Sequence, residues 1–259
     1  MTRRSVINTA IVIPARYGSK RLPGKPLLRT TGKYLIQHVY EQACRSRRAN
    51  AVIVATDDPR IEAAVKNFGG RVVMTRKDHS SGTDRVAEVA RNLDCDIIVN
   101  LQGDEPLVEP EALDLLPDLL GQDSAADAAT LATPITSIDQ WQNPNCVKVV
   151  CDIHRRALYF SRSPIPFVRD GLPDFQADPP HILQHQGLYA YRRHFLLQLA
   201  MTSAPAMEKY EQLEQLRILA LGRHIQVGIT RKAAISVDTL ADYEQFVKIY
   251  RADQPRKSA

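Results

Sequence analysis

Residues 12–28 read VIPARYGSKRLPGKPLL. An apolar run stops at Pro14, and Arg16, Lys20, Arg21 and Lys25 then arrive within ten positions, interleaved with Gly18, Pro23, Gly24 and Pro26. Glycines let a backbone approach a ligand closely and turn its N–H groups toward an anion. Arginine and lysine supply the charge that phosphates need. Such a loop, directly after a strand-like run, suits a polyphosphate; the bland alternative is a solvated basic loop. It is not a P-loop. That motif has four residues between its glycines and ends in a metal-binding hydroxyl, whereas five residues separate Gly18 from Gly24 and Pro26 follows Lys25. Any metal must therefore be held by carboxylates elsewhere.

Two segments offer them. In VNLQGDEPLVEP, Asp104 and Glu105 follow an apolar run, with Gly103 at the turn. A carboxylate facing cations and phosphates is a natural Mg2+ ligand, because magnesium prefers oxygen donors and keeps phosphate oxygens among them. In AISVDTLADYE, Asp238 ends a short apolar run. It is either a second metal ligand or part of a helix cap, since Thr239 and Asp242 have capping-box spacing. Cys44, Cys95, Cys146 and Cys151 form no CxxC pair, so zinc and dithiol redox chemistry are not indicated. The formal charge of +5 suits an anionic ligand or nucleic acid, but aromatics are not interleaved on a basic face as single-strand binders require. No run approaches the ~18 apolar residues of a membrane span, and the N-terminus has no signal-like core. The expectation is a soluble cytoplasmic protein with no nucleic-acid or membrane partner.

These groups need a scaffold. TAIVIPA (9–15), AVIVAT (51–56), RVVMT (71–75) and DIIVNLQ (96–102) are apolar on both faces, as strands of a parallel sheet are. Helical patterns cover 34–47, 59–68 and 84–93, with Pro59 at a first helical position and Thr83 or Asp84 available as a cap. The alternation predicts an α/β fold with a mostly parallel sheet between helices. Past residue 140 the texture changes: VKVVCD (147–152), ALYFS (157–161) and GLYAYRR (187–193) read as strands. Residues 165–181 form a loop with four prolines, and helices follow at about 207–222 and 239–251. This part is expected to extend the sheet or form a smaller C-terminal lobe. The whole reads as a single domain over 1–259, with parts at about 9–140 and 141–251 and a flexible tail at 252–259.

IPARYGSKRLPGKPL, SSGTDRVAEV, VNLQGDEP, NPNCVKVV, ALYFSRSPIPF, HQGLYAY, LEQLR and VDT occur in the order found in bacterial CMP-KDO synthetases, the 3-deoxy-manno-octulosonate (KDO) cytidylyltransferases. The resemblance runs from about residue 9 to 250. It implies a nucleotide-diphospho-sugar transferase-like fold and a reaction in which the anomeric hydroxyl of KDO attacks the α-phosphate of CTP. Pyrophosphate leaves, and CMP-KDO serves lipopolysaccharide synthesis. It further implies that Arg16, Arg21 and Lys25 bind phosphates, that Ser81, Gly82 and Arg85 hold base and ribose, partly through backbone, and that Gln102 lies on the same turn. Asp104 and Asp238 match the family's magnesium carboxylates. Arg162, His185, Tyr189, Glu214 and Gln215 match sugar-binding positions, arginine for the carboxylate and the others for hydroxyls; by residue type alone His185 and Tyr189 read as ordinary strand residues and Glu214 as a solvated helix face. Leu240 stands where the family commonly has proline, and KAAIS lacks a glycine often present there, which bears on how Asp238 approaches the metal. Family members are commonly homodimers, and the segment around SRSPIPFVRDG is the expected contact. The nearest alternatives are cytidylyltransferases for 8-amino-KDO or sialic acid; the remote one is a nucleic-acid-binding protein.

Overall fold

The β-branched runs form strands where their patterning places them. In the computed structural model, which describes residues 7–18, 21–232 and 235–253, the chain runs β1 (Thr9–Ala15), α1 (Leu35–Ala43), β2 (Ala49–Thr56), α2 (Pro59–Asn67), β3 (Val72–Met74), α3 (Gly82–Ala90), β4 (Ile97–Asn100) and α4 (Pro110–Gln122). It continues through β5 (Ala128–Pro134), α5 (Ile138–Gln142), β6 (Lys148–Cys151), β7 (Ala157–Ser161), β8 (Leu183–Arg192), α6 (Arg193–Leu199), α7 (Ala206–Glu211), α8 (Leu216–Ala220), β9 (Ile225–Ile229) and α9 (Leu240–Asp253). The α/β class read from the sequence is the one observed. Lys20 and residues 254–259 of the expected tail lie outside the described residues; Ala252 and Asp253, also assigned to that tail, are helical.

Two compact units result, each discontinuous in sequence, whereas the change of texture had suggested a boundary near 140. One comprises the described parts of Asn8–Asp94 and Ala234–Ala259 together with Asn100–Leu113; the other comprises Ile7, Cys95–Val99 and the described part of Asp114–Ala233. In the first unit β1, β2 and β3 pair in parallel. Ile11, Val12 and Ile13 are wholly buried, as a strand covered on both faces must be. RVVMT departs from expectation. β3 is an edge strand, and Val73 and Met74 are 39% and 43% exposed.

Helix α3 starts earlier than expected. Ser81, not Thr83 or Asp84, is its cap, and its hydroxyl accepts from the Asp84 N–H at 3.1 Å. Asp84 instead sits in the first turn, where a carboxylate complements the helix dipole. Helix α9 begins with the expected capping box: Thr239 Oγ1 accepts from the Asp242 N–H at 3.2 Å, and Asp242 Oδ2 accepts from the Thr239 N–H at 2.8 Å. Its Tyr243, Phe246 and Val247 form a buried cluster with Leu35 and Val237, and Leu22, Leu28 and Leu107 pack against it. Leu22 and Leu28 flank Lys25, Leu107 follows Asp104, and Val237 precedes Asp238. One apolar cluster thus underlies the segments that carry Lys25, Asp104 and Asp238.

In the second unit β5 pairs antiparallel with β8 and parallel with β9, while β6 and β7 form an antiparallel pair beside the start of β8. Strands β5 and β9 were not anticipated, because AATLATP is alanine- and threonine-rich and IQVGI is short and holds Gly228. The helix expected over 207–222 is two pieces, α7 and α8, divided where Gln212 takes φ 54°. Residues 165–181 form no helix or strand, in keeping with their prolines.

The turn after β4 requires glycine. Leu101 N–H donates to Val12 O at 3.2 Å, bringing Gly103 so close to β1 that a Cβ there would lie 2.9 Å from Pro14 O. Backbone cannot yield as a side chain can. Gly103→Ala is expected to lower unfolding free energy by about 1–3 kcal/mol, the usual cost of overpacking, measured by urea denaturation; an unchanged midpoint would mean that the turn relaxes freely.

Candidate active site

Within the first unit, the loop after β1, the start of α3, the turn after β4 and the residue before α9 surround one cavity of about 440 Å³, a size typical of small-molecule sites. Arg16, Arg21, Lys25, Ser81, Gly82, Arg85, Gln102, Asp104 and Asp238 all line it. Every nucleotide- and metal-site residue expected from the sequence therefore meets the same space.

Local geometry explains how Lys25 is aimed. Gly24 has φ +69°, a conformation that favours glycine, and its N–H donates to Tyr17 O at 3.1 Å. Pro26 then sets the short 3-10 turn Lys25–Leu27. The Lys25 ammonium donates to Asp104 Oδ2 at 2.6 Å, Val237 O at 2.9 Å and Asp238 Oδ1 at 3.4 Å. Arg21 reaches the same Asp238 oxygen at 2.9 Å. The backbone closes the arrangement: Val237 N–H donates to Asp104 O at 2.8 Å, and Asp242 Oδ2 accepts from the Asp238 N–H at 3.0 Å. Two cations balance two carboxylates at one point. Arg16 is exposed and has no hydrogen-bond or ionic partner among the described residues. Glu105, adjacent to Asp104, is buried, and its Oε2 has no partner among the described residues. Burial first, and the Asp104 charge second, push its pKa up to about 8, so it is largely a neutral acid at pH 7.

Other predicted residues line the cavity while doing structural work. The Ser81 hydroxyl caps α3, which leaves backbone as what Ser81 and Gly82 offer a ligand. Arg85 is buried; its guanidinium donates to the Thr75 hydroxyl and to Arg76 O and lies 3.4 Å from Asp57. It therefore ties the chain after β3 to α3 as well as forming cavity wall. Gln102 donates to Asn100 Oδ1 at 3.4 Å, and Asn100 to the Thr83 hydroxyl at 3.4 Å.

Asp104 Oδ2 and Asp238 Oδ1 lie 2.6 and 3.4 Å from the Lys25 ammonium nitrogen, and carboxylate oxygens are the donor type that a hard divalent cation prefers. No group of three or more metal-capable side chains occurs among the described residues. Phosphate oxygens and water would have to complete the coordination, which is how magnesium is commonly held.

The second unit gathers a different set. His185 Nε2 lies 3.0 Å from the Thr130 hydroxyl and 2.8 Å from the Tyr189 hydroxyl, and its ring meets Phe160 edge-on. Burial pushes its pKa down to about 3. Burial likewise holds the Tyr189 phenol well above its ordinary value, with Tyr191 and Glu214 adding to the effect. A register shift between Thr130 and Leu131 moves the β5 partner from Tyr189 to Gln186, and the Thr130 hydroxyl lies within hydrogen-bonding distance of Gln186 O and Leu188 O. Such bulges re-aim side chains beside sites. Gln215 is buried and its Nε2 has no partner among the described residues. Glu214 is half-buried, not a freely solvated face.

Arg162 is placed unlike the expectation of a carboxylate grip. Its Nε, Nη1 and Nη2 donate to Glu211 O at 2.7 Å, Pro144 O at 3.0 Å and Gln212 O at 3.4 Å. The guanidinium thus clamps backbone at 144 and 211–212. Lys148, within the strand-like run VKVVCD, is wholly buried and donates to the carbonyls of Asn143, Cys146 and Arg162. Sequence reasoning also passed over His79, a cavity residue whose only signal was its place just before SSGTDR.

The sequence profile described as Cytidylyltransferase matches residues 10–225. A protein of Syntrophobacter fumaroxidans named 3-deoxy-manno-octulosonate cytidylyltransferase is 49% identical over 245 residues, covering 93% of this chain and 96% of that protein. One of the same name from Geobacter sulfurreducens is 47% identical, covering 93% and 99%. The chain belongs to the 3-deoxy-manno-octulosonate cytidylyltransferase family. It is accordingly a nucleotidyltransferase. A solved structure of CMP:2-keto-3-deoxy-manno-octonic acid synthetase complexed with CTP is similar to it at TM-score 0.89 and 44% identity, covering 95% of this chain and all of that one.

His38 is buried and His185 is half-buried, and desolvation of both imidazoles predicts that the fold of this cytidylyltransferase weakens in acid. His185 and His38 have pKa values lowered by burial to about 3 and about 4, below the unfolded value of about 6.5. The folded chain then binds fewer protons than the unfolded chain between those limits. Stability is full above about pH 6.5 and falls as pH drops, by at most about 1.4 kcal/mol per pH unit for each group. Urea midpoints from pH 7 to 4 should fall, and His185→Phe should flatten the slope whatever it does to stability at pH 7. An unchanged slope would mean that His185 titrates alike in both states.

Proposed function

We propose that the chain transfers CMP from CTP to the anomeric hydroxyl of KDO, releasing pyrophosphate and giving CMP-KDO for lipopolysaccharide synthesis. The observation that carries this reading is the convergence of Lys25, Arg21, Asp104 and Asp238 in one cavity. The nucleotide enters the cavity with its base toward the start of α3 and its phosphates toward the basic loop. The sugar oxygen attacks the α-phosphorus as the bond to the bridging oxygen breaks, and the hydroxyl proton leaves to solvent. Lys25 and Arg16 stabilise the charge that develops on pyrophosphate; positioning and charge stabilisation are most of what such transfers need. Asp104 and Asp238 would hold Mg2+, which when bound supplies Lewis-acid polarisation of the phosphate and lowers the pKa of a nearby hydroxyl.

The sugar hydroxyls are met in the second unit by neutral groups: the His185 imidazole, the Tyr189 phenol and the unpartnered Gln215 amide. Glu214 accepts from a further hydroxyl. Arg162 orders the 211–212 backbone just before Glu214 and Gln215. Nucleic-acid binding is disfavoured because Arg21 and Lys25 are paired with carboxylates, not presented as a free basic face. A homodimer through the proline-rich segment is supported by Phe167 and Leu172, 85% and 61% exposed. Light scattering at micromolar concentration should give twice the chain mass, and the monomer mass would refute the dimer. No described helix is long and apolar enough to cross a membrane, and CTP supply argues for the cytoplasm.

The enzymatic test is pyrophosphate release with CTP and KDO, compared with 8-amino-KDO and sialic acid. KDO should be preferred; preference for either analogue would reassign the acceptor. Asp104→Asn and Asp238→Asn should each leave the chain folded and cut kcat by at least about a hundredfold. The double variant should lose little more, because the pair acts as a unit. Full activity in Asp238→Asn would reduce that residue to a helix-start position.

A further inference from the structure

The wall of the nucleotide cavity includes one titratable side chain that the proposed reaction does not use. His79 lines the cavity two residues before the α3 cap, and its side chain is only 6% exposed. Resting on the CTP reading above, we propose that His79 is a specificity-determining residue, whose Nδ1 accepts a hydrogen bond from the exocyclic amino group of cytosine and so separates CTP from UTP.

The imidazole Nε2 is paired with Glu88 Oε2. Glu88 also faces the Arg76 N–H, 3.4 and 3.3 Å from its two oxygens, and the Arg76 guanidinium at 3.7 Å. Burial opposes its charge, but the His79 hydrogen bond and the Arg76 backbone contact more than offset that, and its carboxyl lies below the usual range. An ionised carboxylate only accepts, so Nε2 carries the proton. In a neutral imidazole the other nitrogen is then an acceptor. Nδ1 has no partner among the described residues, and since His79 lines the cavity, it is the polar atom the ring can offer a ligand there.

Cytosine and uracil differ where such an acceptor can choose. Cytosine presents an amino donor at position 4, and uracil presents a carbonyl oxygen. An acceptor held rigidly there gains a hydrogen bond with the first and meets lone-pair repulsion with the second. Sites built around one hydrogen bond reject the mismatched analogue through the polar group left unpaired. A ring free to flip or to exchange tautomers would lose this preference. Glu88 is therefore the positioning residue, and its carboxylate is what makes Nδ1 an acceptor.

The test measures kcat/KM for CTP, UTP and dCTP, with calorimetric binding of each nucleotide, in the full chain and in His79→Ala, His79→Asn and Glu88→Gln. The CTP:UTP ratio should fall at least about tenfold in His79→Ala, as expected for one neutral hydrogen bond plus the lost repulsion. It should be partly retained in His79→Asn, whose amide oxygen can replace Nδ1, and should fall in Glu88→Gln, whose amide allows either tautomer. If CTP and UTP decline alike in the His79 variants, the side chain only tethers the loop and the proposal fails. A loss seen with CTP but absent with dCTP would assign the contact to the ribose 2′-hydroxyl and likewise overturn it. Should His79→Ala not fold, an unchanged ratio in His79→Asn together with Glu88→Gln is equally decisive against it. Absence of CTP binding in the unmodified chain would instead overturn the nucleotide reading, and this inference with it.

Discussion

The Lys25 ammonium between Asp104 and Asp238 is the constraint on which the first unit depends. Carboxylates do not converge on one point unless positive charge stands between them, because their repulsion in a partly buried site exceeds what exposed charges experience in water. Lys25 supplies that charge at 2.6 and 3.4 Å, and Arg21 adds a second cation. The conformations nearby serve this meeting. Gly24 turns the loop, Gly103 lets the turn after β4 lie against β1, and Asp242 fixes the backbone of Asp238. Beneath them Leu22, Leu28, Leu35, Leu107 and Val237 bury apolar surface with α9. That burial, at about 25 cal/mol per Å², is what holds three distant chain segments together while their charges are arranged.

The two units solve opposite electrostatic problems. The cavity of the first concentrates ionised groups and matches an anionic, polyphosphate ligand. The His185 cluster of the second favours neutral groups: desolvation pushes the histidine pKa down and the tyrosine pKa up, and a buried amide nitrogen has no partner among the described residues. Neutral donors and acceptors suit hydroxyls, which exchange one set of hydrogen bonds for another at little electrostatic cost. Glu105 follows the same logic inside the first unit, where burial keeps it protonated beside the ionised pair.

Much of this was legible in the chain, and the limits have physical causes. β1 and β2 are β-branched runs apolar on both faces, a pattern that only a covered parallel strand explains, and the basic loop stood out because its composition is so unlike a neutral connection. β5 was illegible because its three alanines carry weak strand preference, and β9 because it is five residues long and holds Gly228; the burial of both comes from neighbours. The α3 cap was misplaced by two or three residues, since Ser80, Ser81, Thr83 and Asp84 are all capping types and only the backbone decides among them. Arg162 and Lys148 were unreadable for another reason. Each satisfies carbonyls brought close by the fold, and no periodicity encodes a carbonyl's position. His79 had a neighbourhood but no pattern of its own.

The most direct measurement is a double-mutant cycle on unfolding free energy in the nucleotide-free chain, using Lys25→Met, Asp104→Asn and the pair together. If the ammonium is what permits the carboxylates to converge, Lys25→Met leaves Asp104 facing Asp238 with only Arg21, on the Asp238 side, as counter-charge. Adding Asp104→Asn should then recover stability, with a coupling of at least about 1 kcal/mol. Additivity within about 0.3 kcal/mol would contradict it, and would mean that the apolar cluster alone brings these segments together.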